Sequence, residues 1–451
     1  MKKQKQGKLL CGLCLALLLI PLVGMLAFGP SDAVSNERLA AKPRLWRGGK
    51  LNADVLSETA DYFAGRFFLR PALITANSTV QAAVFRESAS EDVVLGKDGW
   101  LFYADTLDDF QGTNPMTGRE LFCAARNLAL LQEYCTQQGT AFLFVCAPNK
   151  NTIYPEYMPG QYRKTGATSD LDRLEQALTE QGVSFCDLRE TLTGRGTRTY
   201  YRTDSHWNGY GSYLACGKIL QALGKETASA DIAVSSQAHA GDLYRMLYPA
   251  SDRTEDAPAP AEVRAFTYLG DVRGADDQRI ETQANAEGTL FMFRDSFGNA
   301  LHADLAGQFS QAVFSRSMPY DLSQAEAVPD VLIAEIAQWN LRWLAQRPPL
   351  LPAPQRQAPD WALEVQQAIT VSVSESGFAG FSCYQGSFPE TPDETAPVFA
   401  CADGVWYEAC LTADGFRFLA PEAAQVQLVT TVRGVSTSYP AALTTQAANA
   451  S

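Results

Sequence analysis

The sequence lacks the paired cysteines of a structural zinc site. Ten cysteines occur in 451 residues, but the eight that follow the N-terminal apolar segment contain no C-x-x-C pair, which excludes a zinc ribbon. Four lie in apolar helix or strand patterns and are interpreted as core thiols: Cys123, Cys146, Cys186 and Cys216. One disulfide among three others would suit an oxidising compartment: Cys383, Cys401 and Cys410. Cys11 and Cys14 lie within the apolar segment and are interpreted as lipid-facing.

Positive charge is also scarce. Lys and Arg number 37 against 50 Asp and Glu, and the net charge of −13 argues against nucleic acid or an anionic lipid surface as the main partner. A neutral sugar polymer is compatible with this charge. Hydrophobic residues make up 46% of the chain and aromatic residues 10%, which indicates a packed core rather than disorder.

Charge is absent altogether from Leu9 to Phe28, and the preceding MKKQKQGK carries four lysines and no acid. A helix of twenty residues is about 30 Å long, enough to cross the hydrocarbon core of a bilayer. The lysines would stay in the cytoplasm, so the sequence predicts a retained anchor with residues 31–451 outside. The alternative is a cleaved signal peptide with a weak site at Ala33-Val34-Ser35, but the apolar run is long for a signal core.

Helix and strand patterns alternate from Arg119 onward. The apolar run AFLFVCA at Ala141–Ala147 predicts a strand buried on both faces. Further strands are predicted at Val183–Leu188, Gly288–Phe293, Gln311–Phe314 and Val331–Ala334, and helices at Glu120–Gln138, Ser169–Gln181, Tyr210–Leu223 and Phe297–Phe309. The alternation indicates a parallel sheet covered by helices on both faces, with active residues just past the carboxyl ends of the strands.

The segment FRDSFGN, Phe293–Asn299, lies at a predicted strand-to-helix junction. A serine here, Ser296, has its hydroxyl at the carboxyl edge of the sheet, where the N–H groups of the following helix also point. This geometry would provide a nucleophile and part of an oxyanion hole together. The alternative is that Asp295 or Ser296 only caps the helix, and from the D-S-F motif alone capping is the better explanation.

A second polar segment, TDSHWN, spans Thr203–Asn208 in a chain with only three histidines. Residues two apart in extended backbone point the same way, so Asp204 could orient the imidazole of His206. That imidazole could then take a proton from Ser296. The alternative, which local spacing alone favours, is that Asp204 or Ser205 caps the next helix and that His206 is an ordinary packed side chain.

Other polar and aromatic residues have a structural interpretation. His302 follows Ser296 on the same predicted helix but faces another side. His239 lies in the segment 226–287, whose Ala-, Asp- and Pro-rich composition indicates an insertion or mobile loop. Trp406 and Tyr407 could stack on sugars, although core packing explains them better.

Five ordered blocks carry a family resemblance: VVLGKDGWLFY (Val93–Tyr103), APNKNTIYPEYMP (Ala147–Pro159), YYRTDSHWNGYGSYLA (Tyr200–Ala215), GDLYRML (Gly241–Leu247) and FRDSFGNAL (Phe293–Leu301). The chain resembles the DHHW proteins of Gram-positive bacteria and their relatives, the SGNH-hydrolase-like alginate O-acetylation proteins. The resemblance runs in order from about Asn36 to about Arg347, and five blocks are more specific than any single motif.

In that family the D-x-H block and the later D-S block form a Ser-His-Asp triad. The resemblance therefore implies Ser296 as nucleophile, His206 as general base and Asp204 as the residue that orients it. The Ser296 amide, with Asn299, is the implied oxyanion donor. No metal and no diffusible cofactor is implied.

Two further residues, Arg294 and Tyr210, are implied at the rim of the site. The sequence departs from the family at two positions: Ser205 stands where the DHHW name has histidine, and Arg294 stands where many SGNH proteins have glycine. Neither departure removes a member of the triad.

The expected fold is a three-layer α/β domain with an SGNH- or flavodoxin-like parallel sheet, an N-terminal transmembrane helix and a small C-terminal β-domain. The predicted divisions are a cytoplasmic tip and anchor (1–30), a tether and helical segment (31–90), the SGNH-like domain (91–347, with the insertion 226–287), a Pro-rich linker (348–360), a β-sandwich-like domain (361–440) and a disordered tail (441–451).

The resemblance implies an extracytoplasmic O-acyltransferase that moves an acyl group, chiefly acetyl, to hydroxyls of a cell-surface polysaccharide. Its partners would be that polysaccharide and a multi-pass membrane O-acyltransferase, without nucleic acid. One alternative is a carbohydrate O-acetyl esterase with the same triad. Another is a non-catalytic cell-envelope protein that binds glycan or acts as a scaffold.

Overall fold

A computed structural model describes residues 12, 15, 19–31, 34, 39–166, 168–225, 232–261, 265–358 and 363–445. The first elements are a helical segment at 19–28, β1 (Trp46–Arg47), β2 (Lys50–Leu51), α1 (Val55–Arg66), α2 (Arg70–Val80) and a π-helical turn (Gln81–Phe85). The sequence predicts one helical stretch from Asn52 to Arg86, but the chain turns between α1 and α2. The turn ends at Leu69, which takes left-handed backbone (φ 65°), and proline in the first turn of α2 suits a helix start because it has no N–H to satisfy.

Of the predicted anchor, Leu9–Phe28, the structure describes residues 12, 15 and 19–28, whereas Cys11, Cys14 and the lysines that precede the apolar run lie outside the described residues. Within the described part of the chain, no helix combines the length and the hydropathy required to cross a bilayer.

The central domain follows in chain order. Its elements are β3 (Val93–Leu95), β4 (Leu101–Tyr103), α3 (Leu107–Gln111), α4 (Gly118–Gln137), β5 (Ala141–Ala147), α5 (Lys150–Ile153), α6 (Asp170–Glu180), β6 (Phe185–Cys186), α7 (Arg189–Leu192), α8 (Gly209–Ala222), β7 (Val234–His239), α9 (Asp242–Leu247), β8 (Glu255–Pro260), β9 (Thr267–Leu269), β10 (Arg279–Gln283), β11 (Thr289–Phe293), α10 (Gly298–Ala306), β12 (Gln311–Ser315), β13 (Val331–Ala337) and α11 (Trp343–Gln346).

Seven of these strands form the central sheet, in the order β6–β5–β13–β11–β12–β10–β9. The first five run parallel, but β10 pairs antiparallel with β12 and with β9. The sheet is therefore mixed, and the prediction of a purely parallel sheet is wrong at this edge. The two antiparallel strands come from the predicted insertion, where β10 buries only Ile280 and Thr282 and so gives a weak apolar signal.

Helices cover both faces of the sheet. Along β5, Leu143 and Val145 pack into one core cluster, whereas Phe142 and Phe144 pack into the other. The first cluster also contains the apolar side chains of α8 and α10, and the second contains those of α4 and α6. This alternation is the three-layer α/β arrangement that the buried apolar strands predict.

The C-terminal unit is a ten-stranded β structure. Its strands are β14 (Gln355–Arg356), β15 (Glu364–Val365), β16 (Ile369–Glu375), β17 (Ser382–Ser387), β18 (Phe399–Ala402), β19 (Val405–Glu408), β20 (Cys410–Leu411), β21 (Gly415–Ala420), β22 (Val426–Val432) and β23 (Val435–Thr445). Residues 441–445, assigned to the tail from sequence, form the end of β23 and pair with β16. Part of the predicted linker also belongs to this unit, because β14 lies in its sheet and the Ala353 N–H donates to the Leu419 carbonyl.

The β unit packs against α4. The Asn127 side chain donates to the Leu344 and Leu411 carbonyls and accepts from the Leu411 N–H. Arg126 binds Glu408 at 2.7 Å, and Arg119 donates to carbonyls of the β unit. The contact therefore consists of buried polar bonds as well as apolar surface.

All eight cysteines beyond Cys14 are free thiols. The expected disulfide among Cys383, Cys401 and Cys410 is not formed. These residues lie on β17, β18 and β20, none of which is the neighbour of another in the sheet. A disulfide needs Cα atoms within about 7 Å, so strands separated by a third strand are too far apart.

Helices α8 and α10 pack against each other on one face of the sheet. Between them, the Ser212 hydroxyl donates to the buried carboxylate of Asp304. Burial raises the pKa of Asp304 to about 7, against the opposing effect of the Ser212 hydrogen bond.

Asp304→Asn should stabilise the protein increasingly as the pH rises. An acid whose pKa is raised by folding loses folding free energy from its unfolded pKa, 3.8, up to its folded pKa, about 7. The amide removes this loss and still accepts from Ser212. We expect the gain in unfolding free energy to grow by roughly 2–3 kcal/mol between pH 5 and pH 8 in urea titrations. Asp252→Asn, at an exposed position, is the control; a gain independent of pH would contradict the assignment.

Candidate active site

Ser296 lies directly past the carboxyl end of β11, one residue before Phe297 and the start of α10. The turn is fixed by Asp295: its Oδ1 accepts the Phe297 N–H (2.9 Å) and its Oδ2 accepts the Ala337 N–H (2.7 Å). The Asp295 N–H donates in turn to buried Glu335 (2.9 Å). Asp295 therefore ties the turn to β13, but it is not the N-cap of α10, because that position is held by Phe297 without a side-chain cap hydrogen bond.

The histidine segment is a loop closed by a bridge between Tyr200 and Trp207. Helix α8 is capped by Asn208, whose side chain accepts the Gly211 N–H at 3.0 Å. Neither Asp204 nor Ser205 caps this helix, so the capping explanation for them does not hold.

The carboxylate of Asp204 is buried and accepts four hydrogen bonds. Its Oδ1 accepts from His206 Nδ1 (2.7 Å) and the His206 N–H (3.0 Å). Its Oδ2 accepts from His239 Nε2 (2.8 Å) and the Asp242 N–H (3.0 Å). Burial would raise the pKa of Asp204, but the hydrogen bonds and charges of the two histidines outweigh it and hold the pKa well below its ordinary value.

The opposite edge of the His206 ring is unsatisfied. Nε2 is buried and has no hydrogen-bond partner among the residues that the structure describes. The ring packs against Phe297, with centroids 4.8 Å apart, and its edge approaches Trp339. Burial would lower the pKa of His206, yet the hydrogen bond and charge of Asp204, with Asp242 and Asp295, raise it above 6.5. Such an imidazole is oriented by its Nδ1 and has Nε2 available for a proton.

Ser296, His206 and Asp204 line one open cavity of about 1310 Å³. In the described chain no hydrogen bond joins Ser296 to His206, and no acceptor is bound to the Ser296 N–H. The structure therefore brings the three predicted residues to one cavity and pairs two of them. The free Ser296 N–H is a candidate oxyanion donor.

The remaining predicted residues are placed differently. Asn299 lines the cavity, but its amide is already engaged, accepting from Arg294 and donating to Asp276 Oδ1 (2.8 Å). Arg294 is buried beneath the turn and donates to the Ala275 and Asp277 carbonyls. Tyr210 is not among the residues that line the cavity and packs against the core.

Two cavity residues escaped the sequence interpretation. His239 was interpreted as structural, yet it binds Asp204 and stacks on Tyr201 with ring centroids 3.8 Å apart. Asp242 accepts the Ser205 hydroxyl (2.6 Å) and N–H (2.8 Å). The GDLYRML block at Gly241–Leu247 was the available signal, because it follows His239 directly.

Asp204, His206 and Asp242 also offer ligand atoms within 4.8 Å of one another, as a metal site would. However, both oxygens of Asp204 accept hydrogen bonds from N–H groups, and His206 Nδ1 lies on Asp204. The donor set fits a hydrogen-bonded network better than a cation.

Lys150, at the start of α5, binds the backbone of the loop that carries Asp204 and His206. Its buried ammonium donates to the carbonyls of Tyr201, Arg202 and Asp204. Burial lowers the pKa of Lys150 to about 8, against the charges of Asp204, Asp242 and Glu255. This one cation thus binds three backbone carbonyls of the loop that carries the Asp-His pair.

Comparison with known proteins gives the class of this domain. Residues 93–309 match the family model described as the SGNH hydrolase-like domain of the acetyltransferase AlgX. A probable alginate O-acetylase AlgJ of Pseudomonas putida is 30% identical over 142 residues, which cover 30% of this chain and 34% of that protein. The chain matches about a third to a half of the length of such curated relatives.

Two solved structures align with part of this chain at TM-scores below 0.5. Bacillus cereus PatB1 with a sulfonyl adduct has a TM-score of 0.43 and 19% identity, covering 56% of this chain and 96% of that one. A DHHW family protein from Eubacterium siraeum has a TM-score of 0.39 and 17% identity, covering 57% of this chain and 99% of that one.

The segment 93–309 is thus an SGNH hydrolase-like α/β domain. Within that class the chain is related to the alginate O-acetylation proteins, as the five sequence blocks predict.

The pKa of His206 should lie above 6.5, and Asp204→Asn should lower it. The amide keeps a hydrogen-bond acceptor but removes the negative charge that stabilises the imidazolium. NMR titration of histidine-labelled protein checks this, and His302→Gln assists assignment among the three histidines. Unchanged titration of His206 in the variant would rule out charge coupling to Asp204.

Lys150→Met should loosen the loop at residues 201–206. The substitution leaves the Tyr201 and Asp204 carbonyls without their donor, which costs about 1–3 kcal/mol each when it is not replaced, whereas the Arg202 carbonyl still accepts from the Leu101 N–H. Hydrogen exchange of this loop should accelerate about tenfold or more. Lys97→Met removes an exposed lysine with a single carbonyl contact and is the control. Equal protection in both variants would show that Lys150 does not hold the loop.

Proposed function

We propose that this protein is an extracytoplasmic O-acyltransferase that transfers an acetyl group to hydroxyls of a cell-surface polysaccharide through an acyl-Ser296 intermediate. One observation carries the proposal: His206 is fixed on Asp204 through Nδ1, its buried Nε2 has no partner among the described residues, and His206 and Ser296 line the same cavity. The relation of the domain to acetyltransferases supports the choice of acyl group.

In the first half-reaction, Ser296 Oγ attacks the acyl carbonyl carbon and His206 Nε2 takes the hydroxyl proton. The imidazolium is stabilised by Asp204. The Ser296 N–H, at the start of α10, donates to the developing oxyanion. Collapse of the tetrahedral intermediate expels the donor's alcohol or thiol, which receives the proton from His206.

In the second half-reaction, a sugar hydroxyl attacks the acyl-serine carbonyl while His206 accepts its proton. Collapse of this intermediate breaks the bond to Ser296 Oγ, which takes the proton back from His206. Trp339 is among the residues that line the cavity. Aromatic faces of this kind stack on the apolar faces of sugar rings. Water in place of the sugar would make the same site an esterase.

The proposal includes attachment to the membrane through Leu9–Phe28, with the bulk of the chain outside. The charge-free run and the lysines before it support this. A multi-pass membrane O-acyltransferase would then deliver the acyl group to Ser296. The scaffold alternative depended partly on Trp406 and Tyr407, but Tyr407 is buried in the core of the β unit.

Ser296→Ala should abolish turnover of p-nitrophenyl acetate, with a loss of at least about 10³-fold, because the acceptor of the acyl group is gone. Mass spectrometry of the wild type should show a serine adduct of one acetyl group. Ser372→Ala, in the β unit, is the control.

The acceptor is identified by adding oligosaccharides to the same assay. Acetylated sugar supports the transferase, whereas acetate alone supports the esterase. Full turnover by Ser296→Ala, or glycan binding without any turnover by the wild type, would contradict the catalytic proposal.

A further inference from the structure

A short basic hairpin precedes the catalytic domain. We call residues 42–51 the basic hairpin: it comprises β1, β2 and the approach to them, and contains Lys42, Arg44, Arg47 and Lys50 but no acid. Over residues 39–86 there are seven basic and three acidic side chains, a net charge of +4 in a chain of −13. Charge is therefore segregated, and this segment is opposite in sign to the rest.

The same hairpin exposes large apolar side chains. Trp46 and Leu51 pair directly across the two strands and are 64% and 67% exposed. Leu45 and, in the first turn of α1, Leu56 are similarly exposed, at 62% and 81%. Four such side chains within twelve residues are more than the single exposed apolar residues of an ordinary surface.

Most of the hairpin's cations have no counter-ion among the described residues. Arg47 binds Glu58 at 2.7 Å, whereas no ion pair is formed by Lys42, Arg44 or Lys50 in the described chain. Free cations beside an exposed tryptophan and leucines form a pattern typical of segments that lie at the boundary between lipid headgroups and acyl chains.

The hairpin is connected through α1 to the apolar helical segment at 19–28. Asn52 and Arg47 bind Glu58 and so hold the hairpin to α1. At the other end of α1, the Phe68 N–H donates to the Pro21 carbonyl (3.3 Å) and its ring stacks on Phe28. Hairpin, α1 and apolar segment thus form one packed unit.

We infer that the basic hairpin docks on the surface of a bilayer that contains anionic phospholipid, with Trp46 and Leu51 at the acyl-chain boundary and the lysines and arginines on the headgroups. A soluble polyanion would satisfy the charges but would leave the four apolar side chains in water. The net charge of the whole chain argues against anionic lipid as the main partner, but this segment has the opposite charge.

The inference also concerns the site, because α2 extends this unit to the active-site cavity. Arg70 and Ile74 of α2 line that cavity. Docking of the hairpin would therefore hold the cavity near the membrane, where the donor of the proposed transfer resides. This last step depends on the proposed function, but lipid binding does not.

The test uses the full chain in nanodiscs made with brominated phosphatidylcholine, with or without phosphatidylglycerol. Bromine quenches tryptophan on contact, and Trp46 is one of seven, so its complete quenching removes about one seventh of the emission. We expect this loss in wild type with phosphatidylglycerol, and we expect Trp46→Phe to abolish it.

Charge is tested by Lys42→Gln/Arg44→Gln/Lys50→Gln, which should lose the dependence on phosphatidylglycerol. The control Arg163→Gln/Lys164→Gln/Arg273→Gln changes net charge equally at other exposed positions and should retain it. Equal quenching of wild type and Trp46→Phe, or quenching that ignores phosphatidylglycerol, would overturn the inference. Ser296→Ala separates the two proposals, because it should abolish ester turnover and leave quenching unchanged.

Discussion

The buried carboxylate of Asp204 is the constraint on which the site depends. It accepts N–H donors from three places in the chain: its own loop, the end of β7 through His239, and the start of α9 through Asp242. A buried charge is tolerated only when it is paired and hydrogen-bonded, so these segments cannot separate without leaving it unsatisfied. The same bonds fix the orientation of His206. The hydrogen bonds that hold the loop together therefore also orient the imidazole.

The two motifs lie about ninety residues apart, and a pair of helices brings them together. α8 begins directly after the histidine loop, and α10 begins directly after the serine turn; the helices pack on one face of the sheet. Phe297 lies between them in contact with both His206 and Trp207. Because each motif immediately precedes its helix, helix packing determines where both side chains enter the cavity. Both motifs lie at the same edge of the sheet, and Lys150 binds the backbone of the histidine loop.

The sequence predicts the strands that are buried on both faces of the sheet. β5 is apolar throughout and β13 is apolar except for the buried Glu335, because both faces of the sheet are covered, and each strand was recognisable without its neighbours. The antiparallel edge was missed because β10 contributes only two buried side chains. His239 was missed for another reason. Its role arises from a contact with Asp204, which lies 35 residues earlier in the chain, and local hydrophobic periodicity carries no information about such a contact. Likewise, the engagement of the Asn299 amide by its neighbours follows from the turn's packing and not from its motif.

The burial of the cysteines has a consequence for how the protein withstands oxidants. Burial raises the pKa of the thiols, to about 11 for Cys123 and about 12 for Cys135, Cys186 and Cys410, so little of the reactive thiolate exists while the fold is intact. Unfolding would uncover these groups together in a chain that has no native disulfide between them. In any oxidising environment, a bridge formed between them during slow folding would be a mistaken one, so rapid closure of the core protects the chain chemically as well as conformationally.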